Sequence, residues 1–333
     1  MDNNLPPEIR ELICQRDKLR AANKYSQADI IRRELESKGY SVADKSSGST
    51  INRIQEKTGG RPENSGPGEI IVFGSGELST TGRKIHESAI KNISPPVSIA
   101  LLETPAGYED NPHAWYRKLE KSLETGLRNF HPRITLVPAL RSDGELSTNN
   151  PDILKPLLNA DYIHTGAGSP SYAARHLNNS LAMKYIYDHV LMGKPLSVAS
   201  AAAVAFSKYL LPVYEIYFAG HDPHWEKGLN FFSRWGLNLT FIPHWNNTEG
   251  GADIDTRFGY MGKRRFDKLL NLLPGPTTII GIDEHTAVIF DLKQNSVRVT
   301  GKGKVTLING DNKTTVNHGE SMPLNELSGL PKD

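Results

Sequence analysis

The sequence predicts an α/β fold: a doubly wound, mostly parallel sheet with helices on both faces, closed by antiparallel strands and preceded by a small helical hairpin. Two observations carry that expectation. From Glu69 onward, short apolar runs of strand length alternate with segments long enough for helices, as expected when parallel strands are joined by helices that cover the sheet. After Asp283 the apolar period changes to two, with turn residues between the runs, which suits antiparallel strands at a sheet edge.

The elements follow in order. Residues 8–38 carry apolar side chains at helical spacing, namely Ile9, Leu12, Ile13 and Leu19, then Ala28, Ile31 and Leu35, interrupted around residues 23–26. This pattern predicts two short antiparallel helices in a segment comprising residues 1–44. Gly39 stands where the second helix would stop. Residues 45–68 are rich in Ser, Gly, Pro and charge without periodicity, and predict a flexible linker. The α/β domain is expected over residues 69–312, with strands at 70–73, 98–102, 134–138, 162–164, 196–199, 239–242 and 278–282, then edge strands at 287–292, 297–300 and 305–308. Residues 313–333 read as a loose polar tail. No internal repeat is visible.

Bulk composition excludes several classes. The 39 Lys and Arg nearly balance the 37 Asp and Glu, so a formal charge of +2 exerts no strong pull toward nucleic acid or membrane. The single cysteine, Cys14, excludes an internal disulfide framework or a Cys-rich zinc site, and suits a reducing compartment. No apolar run approaches a membrane span, and the start MDNNLPPEIR lacks a signal-peptide pattern. A cytoplasmic location is therefore expected, with no membrane partner.

One segment offers chemistry. Pro195-Leu-Ser-Val-Ala-Ser200-Ala-Ala-Ala-Val-Ala-Phe206 runs from a strand directly into an alanine-rich helix, with Ser200 on the turn. In such an elbow the serine projects from the carboxyl end of the strand, its neighbours must be small, and the helix N-terminus offers N–H groups to an oxyanion. An N-cap serine would look the same. His244, after the next predicted strand in Ile242-Pro-His-Trp-Asn-Asn247, can approach the same edge as general base, and Glu215 between them can orient the imidazole. The order serine, acid, histidine is one known triad order. Thr165-Gly-Ala-Gly-Ser-Pro170 supplies small residues after another strand, so the N–H groups of Gly166, Ala167 and Ala201 are the candidate oxyanion donors. Each has a plainer alternative: a structural histidine, a surface glutamate, an ordinary strand-to-helix turn.

Over residues 69–311 the chain resembles the peptidase E and cyanophycinase family of serine peptidases. The matching landmarks are Phe73-Gly-Ser-Gly-Glu77, Thr165-Gly-Ala-Gly-Ser169, Ala199-Ser-Ala-Ala202, Pro243-His-Trp-Asn246, Gly262-Lys-Arg-Arg-Phe266 and Gly281-Ile-Asp-Glu-His-Thr286, in that order. The resemblance implies a fold related to class I glutamine amidotransferases, with Ser200 as nucleophile, His244 as base and Glu215 as the acid. It also implies that Ser169 occupies a position where cyanophycinase carries a polar amide. Since both relatives recognise aspartyl peptides, Arg257 or Arg265 is expected to bind a substrate carboxylate. Two departures stand out: the family's Gly-x-Ser-Ala-Gly elbow is Val198-Ala-Ser-Ala-Ala202 here, and adjacent glycines of the oxyanion loop are Gly166-Ala167. Methyl groups fit there only if the local φ angles are negative.

Other motifs are weaker. Gly74-Ser-Gly76 with Glu103 superficially resembles a dinucleotide fingerprint, but the third glycine is missing. His221-Asp-Pro-His224 has the density of a metal site without an evident third ligand. Neither cofactor nor metal is expected. Asp283 and Glu284 offer an alternative triad acid or cap the sheet edge, the second being favoured. Residues 12–35, followed by Gly39-Tyr-Ser-Val-Ala-Asp44 and Gly48-Ser-Thr50, resemble the carboxyl-terminal helical segment of cysteinyl-tRNA synthetases. Its basic residues Arg16, Lys18, Arg20, Lys24, Arg32 and Arg33 either form a solvated face that docks or dimerises the protein, or make weak, salt-sensitive contacts to RNA phosphate. Two functions are thus expected to compete. One is hydrolysis of a small peptide or amide, with aspartyl and β-aspartyl dipeptides as candidates. The other is a catalytically silent module that binds a ligand or RNA, and self-association remains open in either.

Overall fold

The structure is a computed structural model that describes residues 66–328 without a break and, before them, residues 5–22, 24, 27–28, 31–32, 34–35, 38, 40–45 and 48–53. The chain divides into two units, Met1–Gly60 and Arg61–Asp333.

In the first unit a helix spans Pro7–Ala21, with Pro at its first turn and Lys18 and Arg20 in its last, both favourable placements. Ile9 and Ile13 of this helix pack with Ile31, Leu35, Tyr40 and Val42. Residues 27–28, 31–32 and 34–35 are helical, which accounts for the predicted second helix as far as it is described. The segment predicted as linker starts differently: β1 (Tyr40–Lys45) pairs antiparallel with β2 (Gly48–Arg53). A two-stranded ribbon needs only one apolar face, which Tyr40 and Val42 provide, so its Ser- and Gly-rich remainder carries no sequence signal. Residues 54–65 of that segment lie outside the described residues, as does Arg33. Arg16 is 1% exposed and paired with Asp17, and so belongs to the packing of this unit rather than to a solvated basic face.

The second unit is mixed α/β. Its larger sheet has eight strands in the order β16-β13-β12-β3-β7-β6-β4-β5. The parallel part comprises β3 (Ile70–Phe73), β7 (Leu196–Ala199), β6 (Tyr162–Thr165), β4 (Ser98–Leu102) and β5 (Arg133–Val137). Antiparallel pairs then add β12 (Thr286–Asp291), β13 (Ser296–Gly301) and β16 (Ser321–Pro323). Every residue of β3, β6 and β7 is buried, as expected for strands covered on both faces. The alternation within β4 sorts its side chains: Ile99 and Leu101 pack with Tyr116, Leu119 and Leu123 of helix His113–Gly126. Ala100 and Leu102 belong instead to the cluster that holds Leu154, Leu157 and Ile186 of the helices on the opposite face.

A second sheet departs from the predicted single sheet. Strands β10 (Leu239–Ile242) and β11 (Thr278–Ile282) pair parallel, then β11 joins β14 (Lys304–Asn309) and β15 (Asn312–Asn317) antiparallel. Period and burial identify a strand but not its partner, which is why the sequence assigned β10 and β11 to the larger sheet. Phe232 binds the two sheets together, its ring 5.3 Å from Phe241 of β10 and 4.8 Å from Phe290 of β12. A short ribbon of β8 (Tyr209–Leu210) and β9 (Glu226–Lys227) completes the strands. The predicted loose tail is structured as far as residue 328. It supplies β15 and β16 as edge strands and buries Leu324 and Leu327. An edge strand with one solvated face has a polar composition that the sequence alone cannot tell from a loose end. Among the described residues no helix is long and apolar enough to cross a membrane.

Candidate active site

The carboxyl ends of β3, β7, β10 and β11 converge, and the backbone fixes their approach. His244 N–H donates to Gly74 O at 3.2 Å, and Trp245 N–H donates to Ile282 O at 3.0 Å. Gly74 has to lack a side chain here, because a Cβ would meet Asp283 O at 2.3 Å.

Ser200 sits between β7 and the helix Ala201–Ala205 with φ 48 and ψ −116. That conformation costs a non-glycine residue of order 1–3 kcal/mol and persists only where the surroundings enforce it. The side chain makes no capping hydrogen bond, so the N-cap alternative does not describe this serine. Its Oγ lies 3.0 Å from His244 Nε2. The other face of the imidazole is held too: Nδ1 lies 3.1 Å from Glu284 Oε1, which also accepts from Asn247 Nδ2 at 2.8 Å. Asn246 Oδ1 accepts from Glu284 N–H at 2.8 Å and so holds the loop that carries the carboxylate. The hydrogen bond to His244, and then that to Asn247, hold the Glu284 carboxyl below its ordinary value. An ionised Glu284 only accepts, so Nδ1 carries the hydrogen and Nε2 is left to take the serine proton.

The acid is where the expectation fails. Glu215, on the short helix Val213–Tyr217, accepts from Ser171 Oγ at 2.5 Å, and its Oε2 is buried without a partner among the described residues. No hydrogen bond or ion pair joins it to His244 among the described residues. Chain order placed it correctly between serine and histidine, but its helix turns the carboxylate toward Ser171 of the neighbouring helix Pro170–Leu177. The adjacent pair Asp283-Glu284 divides the two roles weighed for it. Asp283 Oδ2 accepts from Lys304 N–H at 3.1 Å, as an edge cap, and Glu284 faces the imidazole.

Of the three candidate oxyanion donors, Gly166 is already engaged: its N–H donates to Tyr116 Oη at 3.2 Å and its carbonyl accepts from Ala202 N–H at 3.2 Å. The N–H groups of Ala167 and Ala201 have no acceptor among the described residues. Ala201, first residue of its helix, follows the serine directly. Neither Ala167 nor Ala202 has a positive φ, so the methyl groups that replace family glycines are accommodated, and Gly168 takes the turn at φ 140.

The predicted substrate contacts are not assembled. Ser169 Oγ caps the helix Pro170–Leu177 by accepting from Tyr172 N–H at 3.2 Å, and only its neighbours Gly168 and Pro170 line the cavity. Arg257 forms a two-point pair with Asp255, at 2.8 Å for both Nε and Nη2. Arg265 Nη1 reaches the Met261 carbonyl at 3.4 Å. Neither arginine lines the cavity. Asp255 stands two residues before Arg257 in sequence, but only the structure shows that the two pair. Of the weaker motifs, Glu103 is fully buried against His113 at 2.9 Å rather than presented to a ribose, and His224 lies 3.6 Å from Glu226.

Ser200, Ala201 and His244 open into a cavity of about 330 Å³. Val204, Leu211, Val213 and Pro243 form apolar walls, while Tyr214, Phe218, Tyr260 and Glu249 complete the lining. This lining comes from five separate segments, which sequence spacing does not bring together.

No family model matches the chain, and no curated protein matches it. Among solved structures, the chain resembles a peptidase from an acI-B1 Actinobacterium, with a TM-score of 0.61 and 23% identity over 77% of this chain and 97% of that one. A putative peptidase E protein from Listeria monocytogenes EGD-e matches with a TM-score of 0.45 and 14% identity over 75% of this chain and 98% of that one. The likeness to the Actinobacterium peptidase shows a shared fold. Neither comparison bears on the resemblance of the first unit to a tRNA synthetase segment.

Proposed function

We propose that this chain is a serine hydrolase of small peptides or amides, acting by acyl transfer through Ser200, His244 and Glu284. One observation carries the proposal: a continuous hydrogen-bonded chain from Oγ to imidazole to carboxylate, with the serine on a strained turn at the mouth of a cavity. The shared fold with a peptidase supports it.

In the proposed reaction Ser200 Oγ attacks the substrate carbonyl carbon as its proton passes to His244 Nε2. Glu284 holds the imidazole and stabilises the imidazolium. The N–H groups of Ala201 and Ala167 receive the oxyanion in place of the Gly166 group first expected. Collapse breaks the C–N bond, and the amine leaves with the proton from His244. Water, deprotonated by the same histidine, then releases the acid from the acyl-enzyme. A cavity of about 330 Å³ is at the small end for ligand sites and suits a dipeptide-sized substrate. The aspartyl substrates implied by the family resemblance lack a cationic partner in that cavity.

Labelling with a fluorophosphonate tests the proposal. The wild type is expected to be modified at Ser200, located by mass spectrometry, and Ser200→Ala and His244→Ala to remain unmodified. A folded wild type that stays unlabelled would favour the silent, ligand- or RNA-binding alternative.

A further inference from the structure

Among the residues that line the cavity, Glu249 is the only carboxylate, His244 is the only other ionisable group apart from two tyrosines, and no lysine or arginine is present. The two arginines expected to bind a substrate carboxylate, Arg257 and Arg265, reach Asp255 and the Met261 carbonyl instead. A substrate carboxylate placed among Val204, Leu211 and Val213 would lose its water without gaining a counter-charge, and Glu249 would repel it. An apolar side chain loses nothing there and covers surface the protein leaves bare. Phe218, 70% exposed, stands at this lining, its ring 5.3 Å from Tyr214.

Glu249 is held in place by two hydrogen bonds. Its Oε2 accepts from Tyr260 Oη at 2.9 Å and its N–H donates to Asn247 Oδ1 at 3.0 Å. Oε1 has no partner among the described residues. The Tyr260 ring lies 5.4 Å from the His244 ring, so the carboxylate stands one aromatic ring beyond the catalytic imidazole.

From this juxtaposition, and resting on the hydrolase proposal above, we infer that the site takes an aminoacyl compound with a neutral apolar side chain and a free amine. The side chain lies against Val204, Leu211 and Val213, and Glu249 receives the amine. Glu249 is thereby a specificity-determining residue, and aspartyl compounds are excluded.

Two measurements separate this inference from the hydrolase proposal. Turnover of leucyl, phenylalanyl and aspartyl p-nitroanilides, each with free and with acetylated amine, reads selectivity in the active protein. The leucyl or phenylalanyl compound is expected to exceed the aspartyl one by about 100-fold in kcat/KM, and acetylation to cost about tenfold. Glu249→Gln is expected to raise KM for the free amine and to bring it close to the acetylated compound. Independently, calorimetry on Ser200→Ala compares leucinamide, acetyl-leucinamide and the α-amide of aspartate, and requires no turnover. If the wild type takes no fluorophosphonate label, the hydrolase proposal fails while these affinities still decide the selectivity. Aspartyl ligands equal to or better than leucyl ones overturn the apolar assignment. Indifference to both acetylation and Glu249→Gln overturns the role of Glu249.

Discussion

Glu284 Oε1 lies 3.1 Å from His244 Nδ1, although the two residues follow different strands and are 40 positions apart. The loop after β11 delivers the carboxylate and the loop after β10 delivers the imidazole. The parallel pairing of these strands in the smaller sheet is what makes them neighbours.

Loss of that carboxylate is expected to matter more than loss of Glu215. Glu284→Gln removes the charge that fixes the tautomer of His244, and labelling of Ser200 should slow by about 10³–10⁴-fold. Glu215→Gln keeps a group that Ser171 can bond and should stay within about tenfold of the wild type. Rates of fluorophosphonate labelling for the two variants decide between the acids, and a reversed order would restore Glu215.

Tyr116→Phe tests the part given to Gly166. The change leaves a buried N–H without its acceptor at Tyr116 Oη, at a cost of about 1–3 kcal/mol. Calorimetry should show Tm falling by about 2–4 °C per kcal/mol. The labelling rate is expected to change by less than about tenfold, since the proposed oxyanion donors are Ala201 and Ala167 and Gly166 N–H is engaged by Tyr116. A hundredfold loss at unchanged Tm would return Gly166 to that role.

At Gly281 a Cβ would lie 2.3 Å from the indole of Trp245. Gly281→Ala should therefore overpack the junction and destabilise the fold by about 1–3 kcal/mol. Trp245 follows His244 directly, so the displaced ring should also misplace the imidazole and slow labelling by about 100-fold. Loss of Tm without loss of labelling would mean that indole and imidazole move independently.

Acid should destabilise the protein through three buried histidines. Burial pushes His86 and His189 down to about 3, and His164 well below its ordinary value. The folded protein keeps them neutral at pH 5, whereas the unfolded chain protonates each near its ordinary value of about 6.5. Their stabilisation is complete above about pH 6.5 and is lost as the pH falls below it, toward 3 for His86 and His189, which each cost about 2 kcal/mol at pH 5. Urea titrations at pH 7.5 and 5.0 should show the midpoint falling. His189→Gln, which retains a donor for the Pro195 carbonyl, should reduce the pH dependence by about one proton. A midpoint that does not move with pH would contradict the neutral assignment.

The sequence by itself determined strands β3 to β7 and β10 to β14, the alternation of strands with helix-length segments, the elbow serine and the histidine. Those signals are local: an apolar run of a given period, a serine among alanines at a strand-to-helix turn, a histidine just past a strand. Only the tertiary structure decided which strands pair, and with that which acid faces His244. The sequence favoured Glu215 and read Asp283-Glu284 as an edge cap, because a triad acid is defined by where its carboxylate points and not by its neighbours in the chain. The same limit hid the engagement of Gly166 by Tyr116 and the apolar cavity with Glu249 at its wall. Each joins side chains across a distance that sequence spacing does not encode, and each is settled only when hydrophobic burial packs the two sheets and their helices together.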